Sequence, residues 1–248
     1  MEIKPGEIIQ LGNHRIVCGD ARDKNIVKKL TENNKIRLIL TDPPYGVEYV
    51  ENKNWVKLRG GNESKHKKIK GDQLQTDENY ANFTKDWLET CKSYLNNKNA
   101  FYIFNSDLMI CALRERIKQV GGYYSQLIIW LKNTIVLGRK DYNPQHELIA
   151  YGWFGSHKFE RSKAKSVIYC PKPSRSKIAP TMKPISLLRK LILNSTKIKE
   201  IVYDPFLGSG STLIACEHTK RRCFGIEIEP FYIEQIIKRY NKLIGQPE

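Results

Sequence analysis

The sequence predicts an α/β fold in which helices cover a mostly parallel sheet with an antiparallel pair at its edge. Short runs rich in Val, Ile, Phe and Tyr alternate along the chain with longer segments whose apolar residues recur at helical spacing. This alternation of strand and helix patterns is typical of parallel sheets. Two strand-like runs, 126–130 and 146–154, are joined without room for a well-formed helix, and this predicts an antiparallel hairpin.

The strands and helices follow one another in a regular order. Short apolar runs are predicted as seven strands, at 15–20, 36–40, 100–104, 126–130, 146–154, 200–204 and 223–227. Helices are predicted at 23–30, 77–95, 106–120, 184–193, 213–218 and 231–244. The acids Asp77 and Glu78 suit the start of a helix, and Pro184 suits a first helical turn.

The composition indicates one domain that binds a polyanion. A chain of 248 residues is long enough for one large α/β domain, and we expect residues 1–248 to form a single unit. Lys and Arg number 42 against 26 Asp and Glu, a formal charge of +16 that favours nucleic acid over an anionic membrane. No apolar stretch approaches the ~20 residues of a membrane span, and the start of the chain lacks the apolar core of a signal peptide, so we expect a cytoplasmic protein. The six cysteines are scattered without metal-ligand spacing, so we expect free thiols and no metal site.

Two segments are basic and irregular. Residues 51–72 hold seven Lys and Arg against three acids, and residues 155–180 hold seven against one. Each is predicted to be an insertion that is either a solvated loop or a surface for DNA phosphates. Seven of the candidate DNA contacts lie in these segments, namely Lys65, Lys67, Lys68, Arg161, Lys163, Arg175 and Lys177, and the eighth, Arg139, lies between the strands predicted at 126–130 and 146–154.

The segment Thr41-Asp42-Pro43-Pro44-Tyr45-Gly46 directly follows a predicted buried strand. Its prolines force a stiff, extended exit at the carboxyl end of that strand, where open α/β sheets place ligands. The Asp42 carboxylate and the backbone carbonyls at the prolines can accept both hydrogens of an exocyclic amino group, while Tyr45 can stack on the ring that carries it. A strand-ending turn with a solvated aspartate explains the same residues equally well, so a second signal is needed.

That signal is a glycine-rich turn near the end of the chain. Residues 200–204 predict a strand, the turn Gly208-Ser209-Gly210 follows it, and a helix is predicted from Leu213. Such a turn lets the backbone approach a ligand closely, and Glu227, at the end of the next strand, is placed to bind the hydroxyls of a ribose. The third glycine of the dinucleotide fingerprint is missing, which favours S-adenosylmethionine over a nicotinamide cofactor. A simple packing turn is the alternative.

Together, Asp-Pro-Pro-Tyr at 42–45 and Asp-Pro-Phe-Leu-Gly-Ser-Gly-Ser-Thr at 204–212 resemble the motifs of DNA amino-methyltransferases, which methylate the exocyclic nitrogen of adenine or cytosine. Because the catalytic motif precedes the cofactor motif, the chain resembles the circularly permuted β group of that family. The resemblance implies a Rossmann-like sheet of seven strands and S-adenosylmethionine as the cofactor. The residues that it assigns to cofactor binding are Asp20, Ala21, Thr181, Lys183, Asp204, Phe206, Gly208, Ser209, Gly210, Ser211, Thr212 and Glu227.

The resemblance also divides the site among these residues. Asp20 is expected at the adenine of the cofactor and Glu227 at its ribose. The methionine end is expected among Asp204, Phe206, Gly208 and Gly210, under a segment that contains Thr181 and Lys183. The implied catalytic residues are Asp42, Pro43, Pro44 and Tyr45, which would hold a flipped-out base so that its amino nitrogen attacks the methyl group directly.

An aspartate at the first motif position resembles adenine-N6 enzymes, so we expect methylation of adenine rather than of cytosine at N4. Methylation of RNA or of a glutamine side chain is less expected, because those relatives have Asn first and the cofactor motif upstream. A non-catalytic nucleic-acid-binding scaffold is a further alternative, although both motifs are intact. Double-stranded DNA is the expected partner, and a second copy of the chain and a cognate restriction endonuclease are further candidates.

Overall fold

The computed structural model describes residues 3–44, 76–135, 141–161, 163–172 and 182–246. Its strands are β1 (Ile8–Leu11), β2 (His14–Cys18), β3 (Ile36–Thr41), β4 (Leu95–Asn105), β5 (Gly122–Leu131), β6 (His146–Phe154), β7 (Val167–Tyr169), β8 (Ile201–Asp204) and β9 (Arg222–Glu227). Its helices are α1 (Lys24–Thr31), α2 (Asp77–Lys92), α3 (Ile110–Gln119), α4 (Ile185–Ser195), α5 (Ser211–Thr219) and α6 (Pro230–Leu243). Every helix predicted from the sequence is present, with boundaries that differ by a few residues.

The nine described strands form one mixed sheet in the order β1-β2-β9-β8-β3-β4-β6-β5-β7. Strands β2, β9, β8, β3, β4 and β5 run in one direction, and β6 runs in the opposite direction between β4 and β5. The predicted α/β fold and its β5–β6 hairpin are therefore confirmed. The seven predicted strands are all present, and the sheet has two more.

The two additional strands are the two edge strands of the sheet. β1 pairs antiparallel with β2, and β7 pairs parallel with β5. β7 lies inside the basic segment 155–180, so the prediction that this segment is irregular is wrong for Val167–Tyr169. The run Val-Ile-Tyr suits a strand, and its pairing covers the unpaired edge that β5 would otherwise present.

The strands that run in the common direction all have their carboxyl ends on the same side of the sheet. We call this side the carboxyl edge. In its centre lies β3, whose six residues are all buried between β8 and β4. The chain continues from β3 towards β4 on one side and from β8 towards β9 on the other, so the strand order reverses between β3 and β8. Open α/β sheets bind ligands at the carboxyl edge next to such a reversal.

Helices cover both faces of the sheet, and each face has its own apolar core. On one face α4, α5 and α6 pack around Tyr102 and Leu191. On the other face α1, α2 and α3 pack around Trp87 and Phe101. Within the described ranges, none of these helices is long and apolar enough to cross a membrane.

The opposite border, called the amino edge, contains a buried arginine. Arg37 of β3 lies 3.1 Å from the carboxylate of Glu160 and 3.3 Å from that of Glu200. Its guanidinium also donates to the Lys158 carbonyl at 2.9 Å. These contacts fix residues 158–160 at the amino edge, so Arg161, the next residue, lies at this border.

Candidate active site

Four neighbouring strands each present an acidic residue at the carboxyl edge. Asp20 follows β2, Glu227 ends β9, Asp204 ends β8 and Asp42 follows β3. These strands are adjacent in the order β2-β9-β8-β3, and adjacent strands lie about 4.8 Å apart. Residues that are far apart in the sequence therefore form one row of carboxylates, which we call the acidic row.

Asp204 joins the two motifs that the sequence predicts to meet. Its Oδ1 accepts a hydrogen bond from Thr41 Oγ1 at 2.7 Å and another from the Phe206 amide at 3.1 Å. Burial raises the pKa of Asp204 to about 6, while these hydrogen bonds act in the opposite direction. The carboxylate thus links the end of β3 to the start of the glycine turn from inside the protein. A contact between Asp204 and the methionine end of the cofactor stays a prediction.

Two glycines with left-handed backbone shape the turn between β8 and α5. Gly208 has φ of +52° and Gly210 has φ of +81°, a region that disfavours other side chains. A Cβ on Gly210 would lie 2.8 Å from Cγ1 of Ile236, whereas a Cβ on Gly208 would have no neighbour closer than 4.0 Å. Arg239 of α6 donates to the carbonyl of Ser209. The turn is therefore packed against α6 at Gly210 and open at Gly208.

Glu227 reaches from the end of β9 to the glycine turn. Its Oε2 accepts from the Gly208 amide at 2.7 Å, and its Oε1 accepts from the Glu229 amide at 2.9 Å. Burial raises the pKa of the Glu227 carboxyl to about 7, against the effect of these backbone hydrogen bonds. The side chain predicted to bind ribose is thus fixed beside the turn and titrates near neutral pH.

An aromatic cluster lies beside the glycine turn. The ring of Phe206 has its centroid 5.4 Å from that of Phe83 and 5.6 Å from that of Trp87, both on α2. The guanidinium of Arg22 lies 5.8 Å from the Phe83 centroid and pairs with the Asp20 carboxylate at 2.7 Å. The residue predicted at the adenine, Asp20, is therefore held in place by Arg22 at the β2 end of the acidic row.

At the other end of the row, Asp42 is paired with a lysine. Lys183 Nζ donates to Asp42 Oδ2 and lies 3.2 Å from Oε2 of Glu147. Burial works against the charge of Lys183, but the carboxylates of Asp42 and Glu147 raise its pKa above the ordinary value. The resemblance assigns Lys183 to the methionine end of the cofactor, whereas the structure brings it to the predicted catalytic aspartate.

Several of the remaining predicted site residues lie close to these groups in the chain, and others lie outside the described ranges. Ser211 and Thr212 begin α5, and Pro43 and Pro44 follow Asp42 directly. Ala21 is buried, and its carbonyl accepts from Thr90 Oγ1 at 2.9 Å. The predicted residues that lie outside the described ranges are Tyr45, Lys65, Lys67, Lys68, Arg139, Arg175, Lys177 and Thr181.

Two of the predicted DNA contacts are described. Arg161 lies at the amino edge, because Arg37 anchors the residues that precede it. Lys163 is exposed and lies between Arg161 and β7, before the chain runs back towards the carboxyl edge. The structure therefore does not bring Arg161 to the acidic row.

Two charged residues at the carboxyl edge have no predicted role in the sequence patterns. Lys132 directly follows β5, Glu147 lies at the start of β6, and their side chains form an ion pair at 2.8 Å. Lys132 is buried, Glu147 is partly buried, and the pair lies beside Lys183. The signal in the sequence was that Lys132 follows one strand of the predicted hairpin and Glu147 lies at the start of the other, so both lie on the side of the sheet where Asp42 lies.

Comparison with known proteins matches the chain to DNA methyltransferases. A DNA methylase family model of the N6/N4 methyltransferase type matches residues 36–238. The chain is 29% identical to the Type II methyltransferase M.HpaI of Haemophilus parainfluenzae, over 92% of this chain and 74% of the relative. It is 26% identical to the Type II methyltransferase M.HinfI of Haemophilus influenzae, over 94% and 69% of the two chains.

The fold also matches a solved structure. The crystal structure of the M1.HpyAVI-SAM complex superposes with a TM-score of 0.65 at 26% identity and covers 90% of this chain and 98% of that chain. The family match spans both the Asp42 motif and the glycine turn, which the sheet places side by side. From its sequence, its sheet order and this match, the chain belongs to the N6/N4 DNA methylase family.

Proposed function

We propose that this DNA methylase transfers the methyl group of S-adenosylmethionine to the N6 amino group of a flipped-out adenine in DNA. The observation that carries the proposal is the order of groups along the carboxyl edge. From β2 to β3 the edge presents Asp20, Glu227, the glycine turn and Asp42. Adenine, ribose, the sulfonium and the acceptor amine would follow one another in this same order.

The residues of the carboxyl edge fit this cofactor. The open space over Gly208 leaves room for a ligand against the backbone. Ser211 Oγ is buried and has no hydrogen-bond partner among the described residues, so a polar group of a ligand would satisfy it. Glu227 can accept hydrogen bonds from ribose hydroxyls with the lone pairs that its backbone contacts leave. The bound cofactor supplies a methyl group that its sulfonium activates.

Asp42 and Pro43 are proposed to prepare the amine for attack. An exocyclic amino nitrogen is a weak nucleophile, because its lone pair is delocalised into the ring. When the Asp42 carboxylate and the Pro43 carbonyl accept its two hydrogens, the favoured geometry points the lone pair at the methyl carbon. Lys183 holds Asp42, and the proline-stiffened exit from β3 holds Pro43, so both acceptors are preorganised. Tyr45 is proposed to stack on the base and offset part of its unstacking.

Adenine is the proposed target because Asp42 stands first in the motif, as in the adenine-N6 enzymes that the sequence resembles. DNA treated with the purified protein and S-adenosylmethionine should contain N6-methyladenine, which nuclease digestion and mass spectrometry of the nucleosides would detect. N4-methylcytosine in its place would contradict the choice of base. The absence of any new methylated nucleoside would contradict the reaction.

The excess of positive charge supports DNA as the substrate. The basic segments 51–72 and 155–180 are proposed to contact phosphates, which would make binding weaken as the salt concentration rises. A role in restriction and modification, with a cognate endonuclease, is proposed from the "Type II" names of two relatives. A second copy of the chain is proposed as a further partner.

Glu227 makes cofactor binding depend on pH. Its pKa of about 7 means that the carboxyl is mostly protonated below neutral pH and ionised above it. An ionised carboxylate is the stronger acceptor for ribose hydroxyls, so affinity for S-adenosylmethionine should rise with pH and fall about tenfold per pH unit below the pKa. Calorimetric titration on both sides of neutral pH measures this. Glu227→Gln should bind weakly at every pH, and a wild-type profile as flat as that of the variant would contradict the ribose contact.

A further inference from the structure

Four charged side chains of alternating sign follow one another at the carboxyl edge, and we call them the charge ladder. Asp42 is hydrogen-bonded to Lys183, Lys183 lies 3.2 Å from Glu147, and Glu147 lies 2.8 Å from Lys132. They come from the exit of β3, the residue before Pro184, the start of β6 and the end of β5. Only the folded sheet brings these four positions together.

The two lysines of the ladder are buried beside aromatic rings. Lys132 is 3% exposed and Lys183 is 8% exposed. Their ammonium groups lie 5.2 Å from the ring centroid of Trp130 and 5.0 Å from that of Phe104. Buried ion pairs are poor stabilisers, because the loss of hydration offsets much of the attraction. Apolar side chains could fill this space. The four charges are therefore better explained by an effect on Asp42 than by a contribution to the stability of the fold.

We propose that Glu147 is a positioning residue that shares the charge of Lys183 with Asp42, and so sets how strongly Asp42 attracts the hydrogens of the substrate amine. The inference rests on the proposed function, because it takes Asp42 as the acceptor of the amine. Lys132 completes the ladder by pairing with Glu147, so that the four charges sum to zero.

Lys183 has two opposing effects on Asp42. Without a nearby cation, a partly buried carboxylate beside Asp204 would tend to take up a proton and lose an acceptor. With the whole charge of Lys183, Asp42 would stay ionised but would attract the developing positive charge on the amine nitrogen less strongly. Glu147 contacts the same ammonium as Asp42. By sharing that positive charge, Glu147 keeps the effect of Lys183 on Asp42 between these two extremes.

Other titratable groups also face Asp42. Asp204 of β8 and Tyr80 of α2 are both buried, and burial, with a smaller effect of the Asp42 charge, raises the pKa of each. The hydroxyl of Tyr80 accepts from Asn105 at 2.8 Å. Neither group is a cation, whereas Lys183 donates directly to Asp42 and so favours its ionised form.

The test compares Lys183→Met with Glu147→Gln. In Lys183→Met the pKa of Asp42 should rise, because the cation is lost. In Glu147→Gln the same pKa should fall, because Lys183 then acts on Asp42 alone, and kcat should fall about tenfold. Carbon-13 NMR of labelled aspartate carboxyl groups follows the pKa, and the Asp42 signal is the one that Asp42→Asn removes.

Two further variants separate this effect from structural damage. Glu200→Gln removes a partly buried, arginine-paired carboxylate at the amino edge and should leave both the pKa of Asp42 and kcat unchanged. The double variant Lys183→Met/Glu147→Gln removes one charge of each sign, so it keeps the ladder neutral if Lys183→Met folds poorly. Its Asp42 pKa should be raised, as in Lys183→Met.

The inference is overturned if the two single variants move the Asp42 pKa in the same direction. It is also overturned if Glu147→Gln matches the wild type in both pKa and kcat. Because the NMR titration needs no turnover, the pKa results are distinct from a failure of the proposed function. That failure would appear as a wild-type protein that forms no methylated nucleoside in DNA.

Discussion

Asp42→Asn is expected to lower kcat for methyl transfer to DNA by about 10²–10³-fold. The variant keeps the shape of the side chain but replaces an accepting oxygen with an NH2 group, which donates. It also removes the negative charge next to the nitrogen that becomes positive during the transfer. Lys183 is left with Glu147 as its acidic partner. Transfer of tritium from labelled cofactor to DNA measures the loss.

Binding of the cofactor distinguishes a catalytic role of Asp42 from a structural one. Asp42 lies at the β3 end of the acidic row, whereas Glu227 lies two strands away, so affinity for S-adenosylmethionine should be unchanged in Asp42→Asn. Near-normal methyl transfer by this variant would contradict the role of Asp42. If the variant loses cofactor affinity as well as activity, the role of Asp42 is structural rather than catalytic.

Gly208→Ala is expected to weaken binding of S-adenosylmethionine by about tenfold or more. The backbone at Gly208 has φ of +52°, and an alanine there costs about 1–2 kcal/mol of stability. The new methyl group meets no protein atom closer than 4.0 Å. It would instead occupy the open space in which we place the methionine end of the cofactor. Calorimetry gives the affinity, and denaturant unfolding gives the stability.

Gly245 offers a matched control for the backbone strain. It follows α6, has φ of +73°, and has open space where a Cβ would lie. Gly245→Ala should therefore lose a similar free energy of unfolding, about 1–2 kcal/mol, without any change in cofactor affinity. Equal cofactor affinities of the two alanine variants would show that the space over Gly208 does not hold the cofactor.

Much of the fold could be predicted from the sequence, because its central strands are apolar runs with clear ends. The run Ile36–Leu40 is followed by two prolines, and Glu200–Asp204 is followed by the glycine turn. The two short edge strands carried no comparable signal. Val167–Tyr169 is three residues long within a basic segment, and its pairing with β5 decides its conformation.

The site could be predicted in part. The glycine turn and Glu227 form one local strand–turn–helix–strand unit, so their contact follows from spacing along the chain. The pair formed by Asp42 and Lys183 spans 141 residues, and no periodic pattern connects positions so far apart. The position of Arg161 could not be predicted from its charge either. Arg161 lies at the amino edge because Arg37 contacts Glu160 and Lys158, which precede it.

A crystal structure with S-adenosylhomocysteine, the cofactor after loss of its methyl group, tests most directly whether the cofactor and the amine meet at the carboxyl edge. We expect the ribose hydroxyls within hydrogen-bonding distance of the Glu227 carboxylate, and the sulfur beside the glycine turn on the side of Asp42. An adenosyl group bound at another border of the sheet, or a sulfur directed away from Asp42, would contradict this arrangement.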